Sequence, residues 1–404
     1  MSTKSLRPAC QDAKRRSLNV IEYAVLIAAV APFAYLLISL YSAVRFFGQA
    51  KPGRSKPDFT PPISNLKPIR GTDPDSYENF ASLCRQDYPD YELLFCVSSQ
   101  SDPVVPAIEK LARDFPERRI VLLTGSGRNG TNDKVAKLAR LVSEARNEVL
   151  VINDSDVRVA PDYLRRIVAP LQDPKVGAVT CFYASTGDKT LTDKLQTVGM
   201  MSDFFPSIVT AWQLDGIKFA LGTTIATTRT RLAEFGGYES LENRPADDLL
   251  VGRLIAEQGH EVVLLPYVIS TVPDYASFGE LFHKRLRWMV VMRHMRPWGH
   301  FGLVFTHALP WCLAAIVAHP TAGVALGYLA AYAGLRTAVT WLVGIRGLKQ
   351  RTLWKRLPLI PLWDAAAFLI WLTSFTRTSI RWRDGEYKIR DGKLVPVSSG
   401  HSGA

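Results

Sequence analysis

Residues 149–163 read VLVINDSDVRVAPDY, and this stretch decides the fold. An apolar run, VLVI, stops at Asn153-Asp154-Ser155-Asp156. Apolar residues cut off abruptly by polar ones read as a buried strand whose carboxyl end meets solvent. In an open α/β sheet, ligands sit at that end. Two carboxylates spaced i and i+2 just beyond it, Asp154 and Asp156, suit a hard divalent cation and a ribose hydroxyl. Mg²⁺ or Mn²⁺ is ordinarily held by one or two carboxylates plus substrate phosphates. Asp-x-Asp pairs also occur in plain solvated loops, so the rest of the chain has to decide.

Around this strand, apolar runs at 91–97, 120–123, 176–183 and 261–265 alternate with helical patterns at 77–85, 106–115, 133–145, 162–168 and 249–258. The alternation predicts an α/β domain with a mostly parallel sheet and helices on both faces. Several motifs fall at the strand ends. Lys67-Pro68-Ile69-Arg70-Gly71-Thr72-Asp73-Pro74 is a turn fixed by Pro68 and Gly71, either a plain surface turn or part of a nucleotide site. Asp102, in Ser98-Ser99-Gln100-Ser101-Asp102-Pro103, suits a uracil or ribose, and equally the cap of the next helix. Lys134, in Gly130-Thr131-Asn132-Asp133-Lys134, stands at a helix start that favours a diphosphate or an ordinary cap. Asp247-Asp248 opens the 249–258 helix, where capping and the helix dipole would select acids in any case. A carboxylate in a cleft is also the common means of taking a proton from a hydroxyl. Finally, His283-Lys284-Arg285-Leu286-Arg287-Trp288 places cations beside an aromatic ring, fit for a diphosphate and a sugar or for a membrane interface.

The 404 residues carry a formal net charge of +12, with basic clusters before residue 20 and across 45–70, 346–356 and 377–390. Each cluster flanks an apolar stretch, which points to an anionic membrane surface rather than to nucleic acid. Residues 23–41 and 301–335 are uncharged and long enough to span a bilayer, the second twice over with a turn at His319-Pro320. Residues 357–376 form a weaker third stretch, interrupted by Pro358, Pro361 and Asp364. The five cysteines, Cys10, Cys84, Cys96, Cys181 and Cys312, lack metal or disulfide spacing, so a reduced, cytosol-facing domain is expected. The acid-free 346–356 loop favours the same side of the membrane for that domain.

Taken in order, KPIRGTDP, SDP, GTNDK, NDSDVRV, ADD and RW resemble the membrane-anchored glycosyltransferases of the ceramide glucosyltransferase family (family 21, family-2-like), with the bacterial hopanoid-biosynthesis glycosyltransferases among them. The resemblance covers about residues 62–297 plus the flanking spans. It implies a GT-A fold, a Rossmann-like nucleotide half joined to an acceptor half. It assigns Asp102 and Asp154 to the nucleotide, Asp156 to the metal, and Asp248 to the catalytic base with Asp247 beside it. Arg287 and Trp288 match the end of the Q/R-x-x-R-W motif, and Lys284 stands where that motif has Gln or Arg. Pro68, Lys134 and Lys284 join the cofactor-binding set, and residues 212–228, with Gly222, the acceptor side. Ser99 and Ser101 stand where some relatives carry acids.

The resemblance implies inverting transfer from a UDP-sugar to a lipid hydroxyl, ceramide- or hopanoid-like, with Mg²⁺ or Mn²⁺. Rival readings are a processive polysaccharide synthase, a polyprenyl-phosphate glycosyltransferase, and a non-enzymatic scaffold with a decayed nucleotide fold. The expected division is a tail and anchor helix over 1–50, a linker over 51–62, a GT-A domain over 63–296, membrane helices over 297–380 and a basic tail over 381–404. The expected location is the cell membrane, multi-pass, with the catalytic domain in the cytoplasm and no nucleic-acid partner.

Overall fold

Strand β4 (Val149–Ile152) is fully buried and ends where the polar run begins. It belongs to a sheet with β1 (Ile63–Pro68), β2 (Tyr91–Val97), β3 (Arg119–Thr124), β5 (Val157–Arg158), β6 (Val176–Ser185), β7 (Ile225–Thr228) and β8 (Glu261–Thr271). The computed structural model describes residues 19–49, 59–128, 130–272, 275, 277–382 and 385–397. The basic N-terminal cluster, Cys10 and residues 51–58 of the expected linker lie outside the described residues.

The strand order is β3-β2-β1-β4-β7-β6-β8-β5. Pairings β3–β2, β2–β1, β1–β4 and β6–β8 are parallel. Pairings β4–β7, β7–β6 and β8–β5 are antiparallel. The chain winds outward from β1 to β2 and β3, then returns to place β4 on β1's other side. That reversal opens a crevice beyond the carboxyl ends of β1 and β4, where open α/β sheets bind ligands.

Three strands of this sheet, β1, β7 and the two-residue β5, carried no legible signal. β1 reads ISNLKP, yet all six residues are buried, including Asn65 and Lys67. β7 is a four-residue antiparallel insert between β4 and β6. β8 runs six residues past the expected 261–265, because the pairing skips from Cys181–Leu265 to Phe182–Val268. Pro266 and Tyr267 occupy that bulge, which lets the strand continue past a proline that cannot donate to the ladder.

Apolar cores lie on both sheet faces. One holds Leu93, Phe95, Val151, Ile167 and Phe80. The other runs from Leu66, Leu150 and Phe182 into Leu36 and Phe46 of the N-terminal helix and Leu342 and Trp363 of the C-terminal helices. Among the described residues, three helical stretches are long and apolar enough to cross a membrane: Val20–Gln49, Ala322–Gly347 and Arg351–Ser374. A pair bent by 58°, Pro297–Thr306 and Ala308–Ala318, makes up to four if it counts as one. The expected break at His319-Pro320 is present, and the Thr321 side chain caps the helix that follows.

Residues 379–382 and 385–396, mostly within the stretch expected as a basic tail, form a sheet instead. Strands β9 (Ser379–Trp382), β10 (Gly385–Arg390) and β11 (Lys393–Pro396) pair antiparallel in the order β11-β10-β9. The β10–β11 turn is Asp391-Gly392, both at positive φ (49° and 71°), the geometry of a two-residue hairpin.

Candidate active site

Of the Asn153-Asp154-Ser155-Asp156 run, Asn153 is an anchor. It is fully buried, and its amide donates to Tyr163 Oη at 2.8 Å, Thr223 O at 3.0 Å and Thr224 Oγ1 at 3.2 Å. It accepts from Asn65 Nδ2 at 2.8 Å. Asn153 thereby ties the end of β4 to β1 and to the segment before β7, and it leaves the next carboxylates at the crevice.

Asp154 Oδ1 lies 2.8 Å from Lys134 Nζ, and the Asp154 carbonyl accepts from Lys67 Nζ at 2.7 Å. Lys134 also stands 3.4 Å from Asp247 Oδ2. Burial opposes the charge on Lys134, but Asp154, Asp247 and Asp248 outweigh it and hold the ammonium well above the usual lysine range. The cap of the Lys134 helix (Asp133–Glu144) is Asn132, which accepts from Val135 N, so Lys134 itself faces the acids.

Asp247 and Asp248 open the helix Asp247–Glu257 without capping it. The position before them, Ala246, has φ 55°, a left-handed conformation that costs a non-glycine residue energy and recurs at functional sites. Asp247 turns to Lys134, while Asp248 Oδ1 accepts from Leu249 N at 2.8 Å. Burial, then the neighbouring charge of Asp247, pushes the Asp248 carboxyl up to about 6. A Cβ on Gly222 would lie 2.7 Å from Asp248 Oδ2 and 3.5 Å from Asp154 Oδ2, so only glycine lets that segment approach both acids. The next hydroxyl, Thr223 Oγ1, is buried with no partner among the described residues.

Asp156 is likewise pushed up to about 6, by burial and by Asp154, with Lys284 opposing. Burial lowers Lys67 to about 8 despite the attraction of Asp156 and Asp154. Asp73 had no assigned role in the sequence, yet its charge acts on both Asp156 and Lys67. Its Oδ2 is buried with no partner among the described residues.

The nucleotide-side residues gather at neighbouring strand ends. Pro68 closes β1. Asp102 accepts from Gly71 N at 3.0 Å and from Val104 N at 3.1 Å, so it fastens the β1 turn to the β2 turn while also steadying the next helix start. On the helix Phe278–Met295, Lys284 Nζ lies 5.0 Å from the Tyr275 ring centre and 5.9 Å from that of Trp288. Arg287 and Trp288 point apart. Arg287 lies over Trp382 at 5.4 Å, and Trp288 packs 5.9 Å from Phe204. The arginine over Trp288 is Arg285, at 4.7 Å, buried also against Phe204 and Trp363. The sequence motif gave no reason to choose Arg285, whose role depends on rings from distant segments.

A crevice of paired acids and lysines at the switch point of this sheet defines a GT-A glycosyltransferase fold. The mannosyltransferase PcManGT from Pyrobaculum calidifontis, solved with GDP-Man and Mn²⁺, shares the fold at a TM-score of 0.53 and 23% identity, over 87% of this chain and 99% of that one. The profile of Glycosyl transferase family 21 matches residues 24–395, so the chain belongs to that family. A ceramide glucosyltransferase from Komagataella phaffii is 30% identical over 242 residues, 57% of this chain and 47% of its own length. Ceramide glucosyltransferase 3 from Caenorhabditis elegans is 22% identical over 284 residues, 69% of this chain and 61% of that protein. The matches span about half of these curated relatives.

Proposed function

We propose that this chain transfers a sugar from a UDP-sugar to a hydroxyl of a membrane lipid, with inversion at the anomeric carbon. The observation that carries the reading is Asp248. It is a carboxylate held at about 6 by burial, beside Asp154 and against Gly222. A general base works best with a pKa near the working pH, and Asp248 is mostly ionised at neutral pH yet still basic enough to accept a proton. It takes the proton of the lipid hydroxyl as that oxygen attacks. Thr223, whose hydroxyl has no partner among the described residues, orients the acceptor. Lys284, Lys134 and Arg287 hold the diphosphate, Asp102 and Pro68 border the nucleoside, and Trp288 walls the sugar.

The acids also fit a divalent cation. Among the described residues no three His, Cys, Asp or Glu side chains form a closed metal cage. Mg²⁺ and Mn²⁺ need no such cage when phosphate oxygens complete the shell. Asp156, with Asp154 beside it, offers hard oxygens whose crowded negative charge a cation would relieve. When bound, the ion supplies charge stabilisation to the leaving diphosphate.

We read the acceptor as ceramide- or hopanoid-like, and the resemblance to ceramide glucosyltransferases supports a lipid acceptor. So do apolar helices that share a core with the sheet. In this reading residues 63–296 perform the chemistry on the cytoplasmic face of a multi-pass protein, with the helices of 1–50 and 297–380 delivering the lipid sideways. Incubating the purified full chain with a panel of UDP-sugars and ceramide or hopanoid acceptors, followed by mass spectrometry and anomer assignment, tests it. A lipid glycoside of inverted configuration, lost in excess EDTA, is the expected result. Product formed only from GDP-sugars, or undiminished by EDTA, overturns the donor or the metal. Orientation is read by labelling single cysteines placed at Ser185 and Gln350 in intact cells, where neither is expected to react with an impermeant reagent.

A further inference from the structure

The C-terminal sheet follows the last apolar helix and folds back onto the proposed site. Ile380, Ile389 and Leu394 from its strands share a small core with Leu286, Val290 and Val291 of the helix Phe278–Met295. Trp382 and Ala246, the strained residue before Asp247-Asp248, pack against the same core. The guanidinium of Arg287 lies 5.4 Å from the centre of the Trp382 ring. β11 reaches the opposite side of the site. Leu394 N donates to Asn243 O at 2.7 Å. Asn243 Oδ1 in turn accepts from Thr131 N at 3.0 Å, and Asn132 N donates to Glu242 O at 2.8 Å. A third tie fixes the sheet's root. Arg293 Nη1 and Nη2 donate to Ser374 O at 2.5 Å and Arg377 O at 2.6 Å.

One small sheet therefore touches the arginine-bearing helix and the approach to the paired acids, and is linked through Asn243 to the loop that leads to Lys134. We propose that this sheet is a working part of the site and that Trp382 is a positioning residue for Arg287. An arginine on a flexible stem meets a developing diphosphate charge with many conformers, and most of them miss. A tryptophan face attracts the guanidinium from one side, and stacking of this kind does not itself use the N–H donors with which a guanidinium meets phosphate oxygens. Trp382 need not touch the substrate to act in this way. The inference rests on the proposed function, because it assigns Arg287 to the diphosphate.

The test uses the full-length protein in detergent, with Trp382→Leu, Trp382→Phe, Arg287→Gln and the Leu/Gln double variant. Turnover and KM for the UDP-sugar are measured, with UDP affinity in Mn²⁺ by calorimetry and the melting temperature. Trp382→Leu is expected to lower kcat roughly 3- to 30-fold, the fold-change that losing one cation–π contact implies, with acceptor KM unchanged. Trp382→Phe, which keeps a ring face, is expected to recover most of that loss. On the Arg287→Gln background Trp382→Leu should cost nothing further, because the group it positions is gone. Losses that multiply in the double variant, or equal losses in the Phe and Leu variants, overturn the inference while leaving the proposed function standing. Wild-type protein that neither binds UDP nor transfers sugar overturns both. If Trp382→Leu does not fold, Trp382→Met, which keeps bulk without a ring face, takes its place in the same cycle with Arg287→Gln.

Discussion

At the strand ends, Lys134 stands among Asp154, Asp247 and Asp248, whereas between the apolar helices Arg336 forms a direct ion pair with Asp364, with the charge of Asp203 acting from further off. Both clusters are buried, and they differ in balance. Arg336 engages both oxygens of Asp364, Nε at 2.9 Å from Oδ2, and Tyr332 Oη donates to that same Oδ2 at 2.8 Å. Arg336 also donates to the Ser202 carbonyl, so the pair bolts the helices Ala322–Thr340 and Ile360–Ser374 to the segment Met200–Phe204 under the sheet. At the strand ends, acids outnumber the lysines facing them, and two of the carboxyls sit near 6. A direct two-oxygen ion pair makes a buried charge cluster structural, and a crowd of acids around few cations leaves it able to accept a metal ion or a proton.

The widest separation between the two clusters is expected from Asp248→Asn. Turnover should fall by about 10²- to 10⁴-fold while UDP affinity and melting temperature hold. Asp247→Asn, whose acid turns to Lys134, should cost less in a steady-state assay. An active Asp248→Asn enzyme beside a dead Asp247→Asn one would reassign the base. Arg336→Met should give the opposite pattern. It leaves Asp364 buried without its cation, at about 3–5 kcal/mol in unfolding, and pairing it with Asp364→Leu should restore most of that. Thermal unfolding in detergent reads both, and an unchanged midpoint for Arg336→Met would remove the structural half of the comparison.

Gly222→Ala is expected to be milder, up to about 10²-fold in kcat, because its methyl group displaces Asp248 rather than removing it. Unaltered kinetics would mean that the crevice has slack at this point. The smallest effect concerns pH. The Asp248 carboxyl, ordinarily near 3.9 in an unfolded chain, sits at about 6 in the fold, so the folded protein binds its proton more tightly. Activity should decline as pH falls through 6, because the base becomes neutral. The destabilisation from burying this charge is full above pH 6 and is relieved as pH falls toward 4, so this group's contribution to stability rises while activity drops. A kcat/KM profile flat down to pH 5 would contradict the assignment.

Much of the nucleotide half was legible. VLVI at 149–152 and YELLFCV at 91–97 are fully buried strands, and an apolar run records burial directly. β1 was not legible, because Asn65 and Lys67 spend their polarity inside, on Asn153 and on the Asp154 carbonyl. Hydrophobic patterning cannot see a buried polar residue whose partner lies some 90 positions away. Asp73, Thr223 and Arg285 were passed over for the same reason, since each draws its meaning from neighbours remote in the chain. The 379–396 sheet did leave a local trace, Asp391-Gly392 between alternating apolar residues, hidden within a run of basic charge.

The sequence by itself determined the strands with apolar runs, the apolar helices, and the order of acids that marks the family, because these depend on local pattern and on residue type. Tertiary structure alone decided which acids share a lysine, which carboxyls are pushed toward 6, and that Arg287 and Trp288, adjacent in sequence, face different partners. Neighbours on a helix are turned about 100° apart, and the charge state of a carboxylate is set by what surrounds it within a few ångströms. Both are properties of the folded space around a residue.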